Sequence, residues 1–111
     1  MEDYQKTAAQ MAADTRDKLI IDLRREEDSR RSPCPGAVSL WWETMARTIQ
    51  EEGVEALRLP KDRPLYLLCY TGETSDEYAQ LLRGEGYDAW SVAQGYRGYL
   101  RHALGLDAPG T

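Results

Sequence analysis

The stretch Pro64 to Arg83, PLYLLCYTGETSDEYAQLLR, decides how the rest of the chain is read. Leu65, Tyr66, Leu67 and Leu68 form a short apolar run behind a proline, the pattern of a buried strand. The run ends at Cys69. A polar stretch, Tyr70-Thr71-Gly72-Glu73-Thr74, follows at once, and then a helical pattern with Tyr78, Leu81 and Leu82 on one face. Thr74 and Glu77 stand in the S/T-x-x-E relation of a capping box, which predicts a helix start at Thr74 or Ser75.

A thiol at that point faces a cup of backbone N–H groups and the positive end of a helix, which together make an anion site. Such surroundings favour the thiolate, the nucleophilic form of sulfur, and suit covalent catalysis. The same pattern also fits a small core cysteine that merely closes a strand. Local pattern leaves both readings open.

Working outward, 111 residues with 41% apolar and 30% charged side chains predict one globular domain, residues 1–111, with a real core. The net charge of −5 argues against a nucleic-acid or acidic-membrane partner. No apolar run reaches transmembrane length, and Met1 to Thr15 lacks the basic start and apolar centre of a signal peptide. A cytoplasmic protein is the expectation, with Cys34 and Cys69 as thiols. A single histidine, His102, and no Cys/His cluster predict no metal site. It also leaves Cys69 to rely on dipoles rather than on a base.

Residues 4 to 14 carry Tyr4, Ala8, Met11 and Ala12 at helical spacing, which predicts an amphipathic N-terminal helix. Leu19-Ile20-Ile21-Asp22-Leu23 is fit for a strand buried on both faces. Arg24 to Arg31 reads as a solvated turn or short helix, and Pro33-Cys34-Pro35-Gly36 breaks any helix before a short strand at Ala37 to Leu40. Trp41 to Glu52 is the next helix, stopped by Gly53, with one of the two adjacent tryptophans left for the surface or a pocket. Val54 to Leu59 is ambiguous, and Pro60 to Pro64 is a turn. Ala89 to Val92 predicts another strand. Tyr96 to Leu104 predicts a last helix with Tyr99, Leu100 and Ala103 inward, ahead of a frayed tail from Gly105. This alternation argues for an α/β, largely parallel sheet with helices on both faces. Ligands in such sheets bind beyond the carboxyl ends of the strands, where Cys69, Asp22, Arg24 and the Gln94-Gly95 loop lie.

Five features in order resemble the single-domain rhodanese-like family, most strongly from Leu19 to Arg101. These are the opening strand with Asp22-x-Arg24, Pro35-Gly36-Ala37, the central strand ending at Cys69, Gly86-Tyr87, and the Val92, Gly95 and Tyr99 group. The loop Cys69-Tyr70-Thr71-Gly72-Glu73-Thr74 resembles the family's Cys-x-x-Gly-x-Thr form. The resemblance implies a three-layer α/β/α fold with a mostly parallel sheet of about five short strands. It also implies a sulfurtransferase without a cofactor. Cys69 would take sulfane sulfur from a small donor such as thiosulfate, hold it as a persulfide, and pass it to cyanide, a thiol or a sulfur-carrier protein. The N–H groups of Tyr70, Thr71, Gly72, Glu73 and Thr74 would stabilise the terminal sulfur, and Thr74 could add its hydroxyl.

Departures from the pattern are informative. Ser32 and Pro33 replace the usual Gly-His, Gln94 replaces the first late glycine, and Tyr99 stands for a tryptophan. Glu73 places a carboxylate where a dianionic donor would arrive, which costs little if it points outward. Asp22 and Arg24 are expected to be a structural ion pair beside the site. Arg97 is expected either to help hold an anionic donor or to be solvated at a helix start. Cys34 is expected to be a structural or surface thiol, and His102 a solvated surface residue of the last helix. A phosphatase or arsenate reductase on this fold would close its loop with an arginine that clamps the oxyanion, and Thr74 and Ser75 stand at those positions instead. A non-catalytic binding or sensing module is the remaining alternative.

Overall fold

The computed structural model of the protein describes residues 4–106. Five parallel strands form one sheet: β1 Gln5–Lys6, β2 Leu19–Asp22, β3 Ala37–Ser39, β4 Leu65–Leu68 and β5 Ala89–Val92, in the spatial order β1-β5-β4-β2-β3. Between and after them run α1 Ala8–Ala13, α2 Glu26–Arg31, α3 Trp42–Glu52, a 3-10 turn at Val54–Leu57, α4 Glu73–Gly84 and α5 Gly95–Ala103.

The central strand explains its unbroken apolar run. Every residue of Leu65 to Leu68 is 0% exposed because both faces are covered. Leu65, Leu67 and Cys69 pack on one face with Ile21, Met45, Ala79 and Leu82, under α3 and α4. Tyr66 and Leu68 pack on the other with Met11, Cys34, Val92 and Tyr96, under α1 and α5. Each leucine so buried contributes roughly 1.5–3 kcal/mol of transfer free energy.

Several sequence expectations change here. The helical spacing from Tyr4 does not continue through residue 14. Gln5 and Lys6 pair with Ser91 and Val92 as an edge strand, and the helix starts only after Thr7. Thr7 and Gln10 form the capping box that sets that start, with side-chain-to-amide bonds of 3.0 and 2.8 Å. The Thr74–Glu77 box is not used. Gly72 precedes the first residue of α4, so Thr74 already lies inside the helix. In α4 the buried residues are Ser75, Ala79 and Leu82, while Leu81 is 38% exposed. In α5 Tyr96 and Tyr99 pack inward, and Leu100 and Ala103 face out. His102 is half-buried rather than fully solvated. Of the tail, Gly105 and Leu106 are exposed, and residues 107–111 lie outside the described residues.

From Glu26 the charge run becomes α2, a six-residue helix with no buried side chain, while Arg24 at the start of the run is buried rather than solvated. The tryptophans divide the work: Trp42 packs on the core, and Trp41 lines a surface cavity of about 620 Å³ with Arg25 over its ring.

Candidate active site

Cys69 is the first residue after β4, and it packs with the core under α3 and α4. The residue is 3% exposed, yet its Sγ is surrounded by donors. The Gly72 amide donates to Sγ at 3.0 Å and the Ser75 amide at 3.4 Å, and Ser75 Oγ lies 3.3 Å away. Gly72 at the cap of α4 and Ser75 in its first turn therefore aim two amides at one sulfur, whose thiol donates to the Ser75 hydroxyl, and the amides favour negative charge there. Behind it, Ser75 Oγ is 2.6 Å from Ser91 Oγ of β5, and the Ser91 hydroxyl donates to the Gly72 carbonyl at 3.3 Å. Ser75 and Ser91 are both 0% exposed, so these bonds satisfy groups that water cannot reach.

Two glycines permit the loop. Gly72 has φ +99°, and a Cβ there would come within 3.1 Å of the Gln94 amide nitrogen. Gly95 has φ +57°, and its Cβ would fall on the backbone of Cys69, Tyr70 and Thr71. Into that close approach the Tyr96 amide donates to the Cys69 carbonyl at 2.6 Å.

The remaining expected site residues spread out. The Tyr70 side chain turns away from the sulfur: its hydroxyl donates to the Asp28 carboxylate and accepts from the Arg25 amide at 3.3 Å. Burial first, and then Asp28, pushes that phenol above its ordinary range. Thr71 and Glu73 are exposed and Thr74 is half-buried. The hydroxyl that reaches Sγ belongs to Ser75, not to Thr74.

Asp22 and Arg24 are each 2% exposed and form the expected ion pair, with Arg24 Nε 3.0 Å and Nη2 2.8 Å from the carboxylate. Ser29 donates to the same carboxylate at 2.9 Å, and Arg24 donates to the Ser32 carbonyl at 2.7 Å. Burial works against the guanidinium charge. The hydrogen bonds and charge of Asp22 outweigh it and leave Arg24 above its ordinary pKa. The pair makes no hydrogen bond to the sulfur. Its guanidinium stacks 3.8 Å over the Tyr96 ring, and so braces the residue that holds the Cys69 carbonyl.

Arg97 is exposed and lines a cavity of about 770 Å³ with Thr7, Ala8, Tyr70, Thr71 and Gln94. Cys34 packs with Tyr66 and Leu68, on the face of the sheet opposite to the Cys69 cluster. Burial pushes its thiol pKa up, against a smaller opposing effect of the Tyr99 hydroxyl. It is a structural thiol with no contact to Cys69. Among the described residues no group of three or more His, Cys, Asp or Glu is placed to hold a metal ion, and no helix is long and apolar enough to cross a membrane.

Ser75 and Ser91 are the residues that sequence reasoning missed. Two signals were present: a serine within the short strand Ala89-Trp90-Ser91-Val92, and a serine one position past the loop motif.

With the geometry in view, the sequence matches the family described as Rhodanese-like domain over residues 4–102. The chain belongs to that family. It is 36% identical over 91 residues to a tRNA sulfurtransferase of Desulfurococcus amylolyticus, covering 82% of this chain but only 16% of that protein. It is 27% identical over 105 residues to a sulfurtransferase of Allochromatium vinosum, covering 94% of this chain and 92% of that one. A solved rhodanese-like domain protein from Staphylococcus aureus superposes with a TM-score of 0.69 at 19% identity, over 86% of this chain and 89% of its own. At that identity the likeness shows the fold, and the parallel sheet with helices on both faces is the rhodanese architecture.

Proposed function

We propose that this rhodanese-like protein is a cytoplasmic sulfurtransferase that carries sulfane sulfur as a persulfide on Cys69. The observation that carries the reading is the Cys69 Sγ held by the amides of Gly72 and Ser75. Membership of the rhodanese-like family, and a sulfurtransferase relative of similar length, support sulfur transfer in general.

In the first half-reaction the Cys69 thiolate attacks the outer sulfur of a donor such as thiosulfate. The new Sγ–S bond forms as the donor's S–S bond breaks, and sulfite leaves with that bond's electron pair. The terminal persulfide sulfur keeps one negative charge, for which main-chain amides of the Tyr70–Thr74 loop are the available donors. In the second half-reaction an acceptor nucleophile (cyanide, a thiol or a carrier protein) attacks that terminal sulfur and returns the Cys69 thiolate. The cavity beside Tyr70, Thr71 and Arg97 is the entry, with Arg97 as the cation that meets an anionic donor. A sulfur on a residue 3% exposed suits slim donors better than bulky ones.

That recession also favours a second reading, a module that binds a partner and performs no transfer. One experiment separates the two. The protein is incubated with thiosulfate and other sulfane donors, its mass is measured, and cyanide is added. A gain of one sulfur on Cys69, discharged as thiocyanate and absent in Cys69→Ser, is the expected result. No gain with any donor leaves the binding module standing.

A further inference from the structure

We infer that Ser75 and Ser91 form a reversible hydroxyl rotor chain that turns to stabilise the ionised sulfur of Cys69, making them positioning residues for the reaction. The inference rests on the reading of Cys69 as the nucleophile, and it follows from counting protons along a chain with a fixed end.

The chain runs Cys69 Sγ, Ser75 Oγ, Ser91 Oγ, Gly72 carbonyl, with successive separations of 3.3, 2.6 and 3.3 Å. The Gly72 carbonyl can only accept. With Cys69 as a thiol there are three protons for three contacts, and one direction satisfies all of them. The thiol donates to Ser75, Ser75 donates to Ser91, and Ser91 donates to Gly72. When the thiol proton leaves to solvent, two protons remain. If the hydroxyls kept their direction, a sulfur anion would face the lone pairs of Ser75 across 3.3 Å. The favourable arrangement is the reverse: Ser75 donates to Sγ, Ser91 donates to Ser75, and the Gly72 carbonyl gives up the Ser91 hydroxyl while keeping the Asp76 amide at 3.2 Å. A hydrogen bond to an ionised acceptor is about twice as strong as a neutral one, so the charged sulfur sets the direction.

The backbone is indifferent to this reversal. The Gly72 and Ser75 amides donate to Sγ in either state. Both serines are wholly buried, so no water replaces a missing partner. Ionisable groups on the surrounding elements include the Asp22–Arg24 pair at the end of β2, Glu43 and Arg47 on α3, Glu73, Asp76, Glu77 and Arg83 on α4, and Arg97, Arg101 and His102 on α5. Among the described residues none of them hydrogen-bonds to Sγ, to Ser75 Oγ or to Ser91 Oγ.

The test reads Cys69 without any sulfur donor. Alkylation of the protein by iodoacetamide is followed against pH, with labelling of Cys69 resolved by peptide mass, in wild type, Ser75→Ala and Ser91→Ala. The midpoint of the profile is expected to rise by about one pH unit in Ser75→Ala and by about half a unit in Ser91→Ala. A second measurement needs no folded variant. In wild-type protein labelled at the glycine carbonyls, the Gly72 carbon resonance is expected to move upfield with the same midpoint, because it loses one of its two donors. Thermal midpoints verify that each variant is folded, and Ser91→Ala together with the labelled wild type decides the matter if Ser75→Ala is not. Unshifted profiles in folded variants, or a Gly72 resonance that ignores the titration, overturn the inference. Shifted profiles in a protein that takes up no sulfur from any donor uphold the rotor chain and remove the sulfurtransferase reading instead.

Discussion

The amide of Tyr96 donates to the carbonyl of Cys69 at 2.6 Å, so the first turn of α5 is fixed to the residue that ends the central strand. Gly95 makes this contact feasible, since any side chain there would land on the Cys69–Thr71 backbone. Gly95→Ala must push the two segments apart and also strain a positive φ. We expect a loss of about 2–4 kcal/mol in urea unfolding, from overpacking and backbone strain together. Sulfur transfer should fall further than stability does, because the loop carrying Gly72 and Ser75 moves with Cys69. A Gly95→Ala protein as stable and active as wild type would contradict the close approach.

The Asp22–Arg24 pair is enclosed on every side, and removing one partner strands the other. Arg24→Met should destabilise the fold by about 3–5 kcal/mol, the usual cost of an uncompensated buried charge. The paired substitution Asp22→Leu with Arg24→Met should recover much of that loss. It should not recover the position of Tyr96, which loses the guanidinium over its ring. Chemical denaturation of Asp22→Leu, Arg24→Met and the double variant measures the coupling, and a double-variant loss equal to the sum of the two single losses would show the residues to be independent.

Glu73 and Arg97 carry opposite charges on exposed ground near the Cys69 loop. Replacing Glu73 by Gln should raise the rate with thiosulfate, and replacing Arg97 by Gln should lower it, each by roughly threefold or less at low salt. Both effects should fade near 1 M salt, where the screening length is about 3 Å. The steady-state rate at two ionic strengths decides it. A salt-independent loss in Arg97→Gln would mean direct contact with the donor rather than steering.

Asp14 contributes to the acid limb of stability. Arg16 first, and then the Tyr66 hydroxyl at 2.6 Å, holds its carboxyl well below the ordinary value of 3.8. A carboxylate with a depressed folded pKa stabilises the fold above its unfolded value, and that contribution is lost as pH falls through the folded one. Asp14→Asn should therefore lower the thermal midpoint at pH 7, with the difference from wild type shrinking below about pH 4. A difference that persists unchanged in acid would assign the effect to packing.

The sequence disclosed the centre of this molecule better than its edges. Leu65 to Leu68 could hardly be misread, since a run of apolar residues behind a proline has few other homes, and Cys69 followed from where it stopped. The edge strand Gln5–Lys6 was invisible because two residues carry no period, and its stability comes from β5 rather than from its own side chains. The false capping box at Thr74 had the right spacing, but Gly72 in a left-handed conformation had already turned the chain into the helix. Ser75 was passed over for Thr74 because a motif names positions, while a helix turn determines which hydroxyl comes round to the sulfur. Ser91 could only be recognised once β5 was laid beside β4.

The order of the strands has a consequence for biosynthesis. The outermost strand, next to β5, is made before the other four, and it waits for a neighbour 86 residues further on, since Gln5 pairs with Ser91. The sulfur cradle draws on β4, α4, β5 and the start of α5, so it closes only when Tyr96 has been added. A chain halted before that point would carry the thiol without the α5 amide that anchors its backbone.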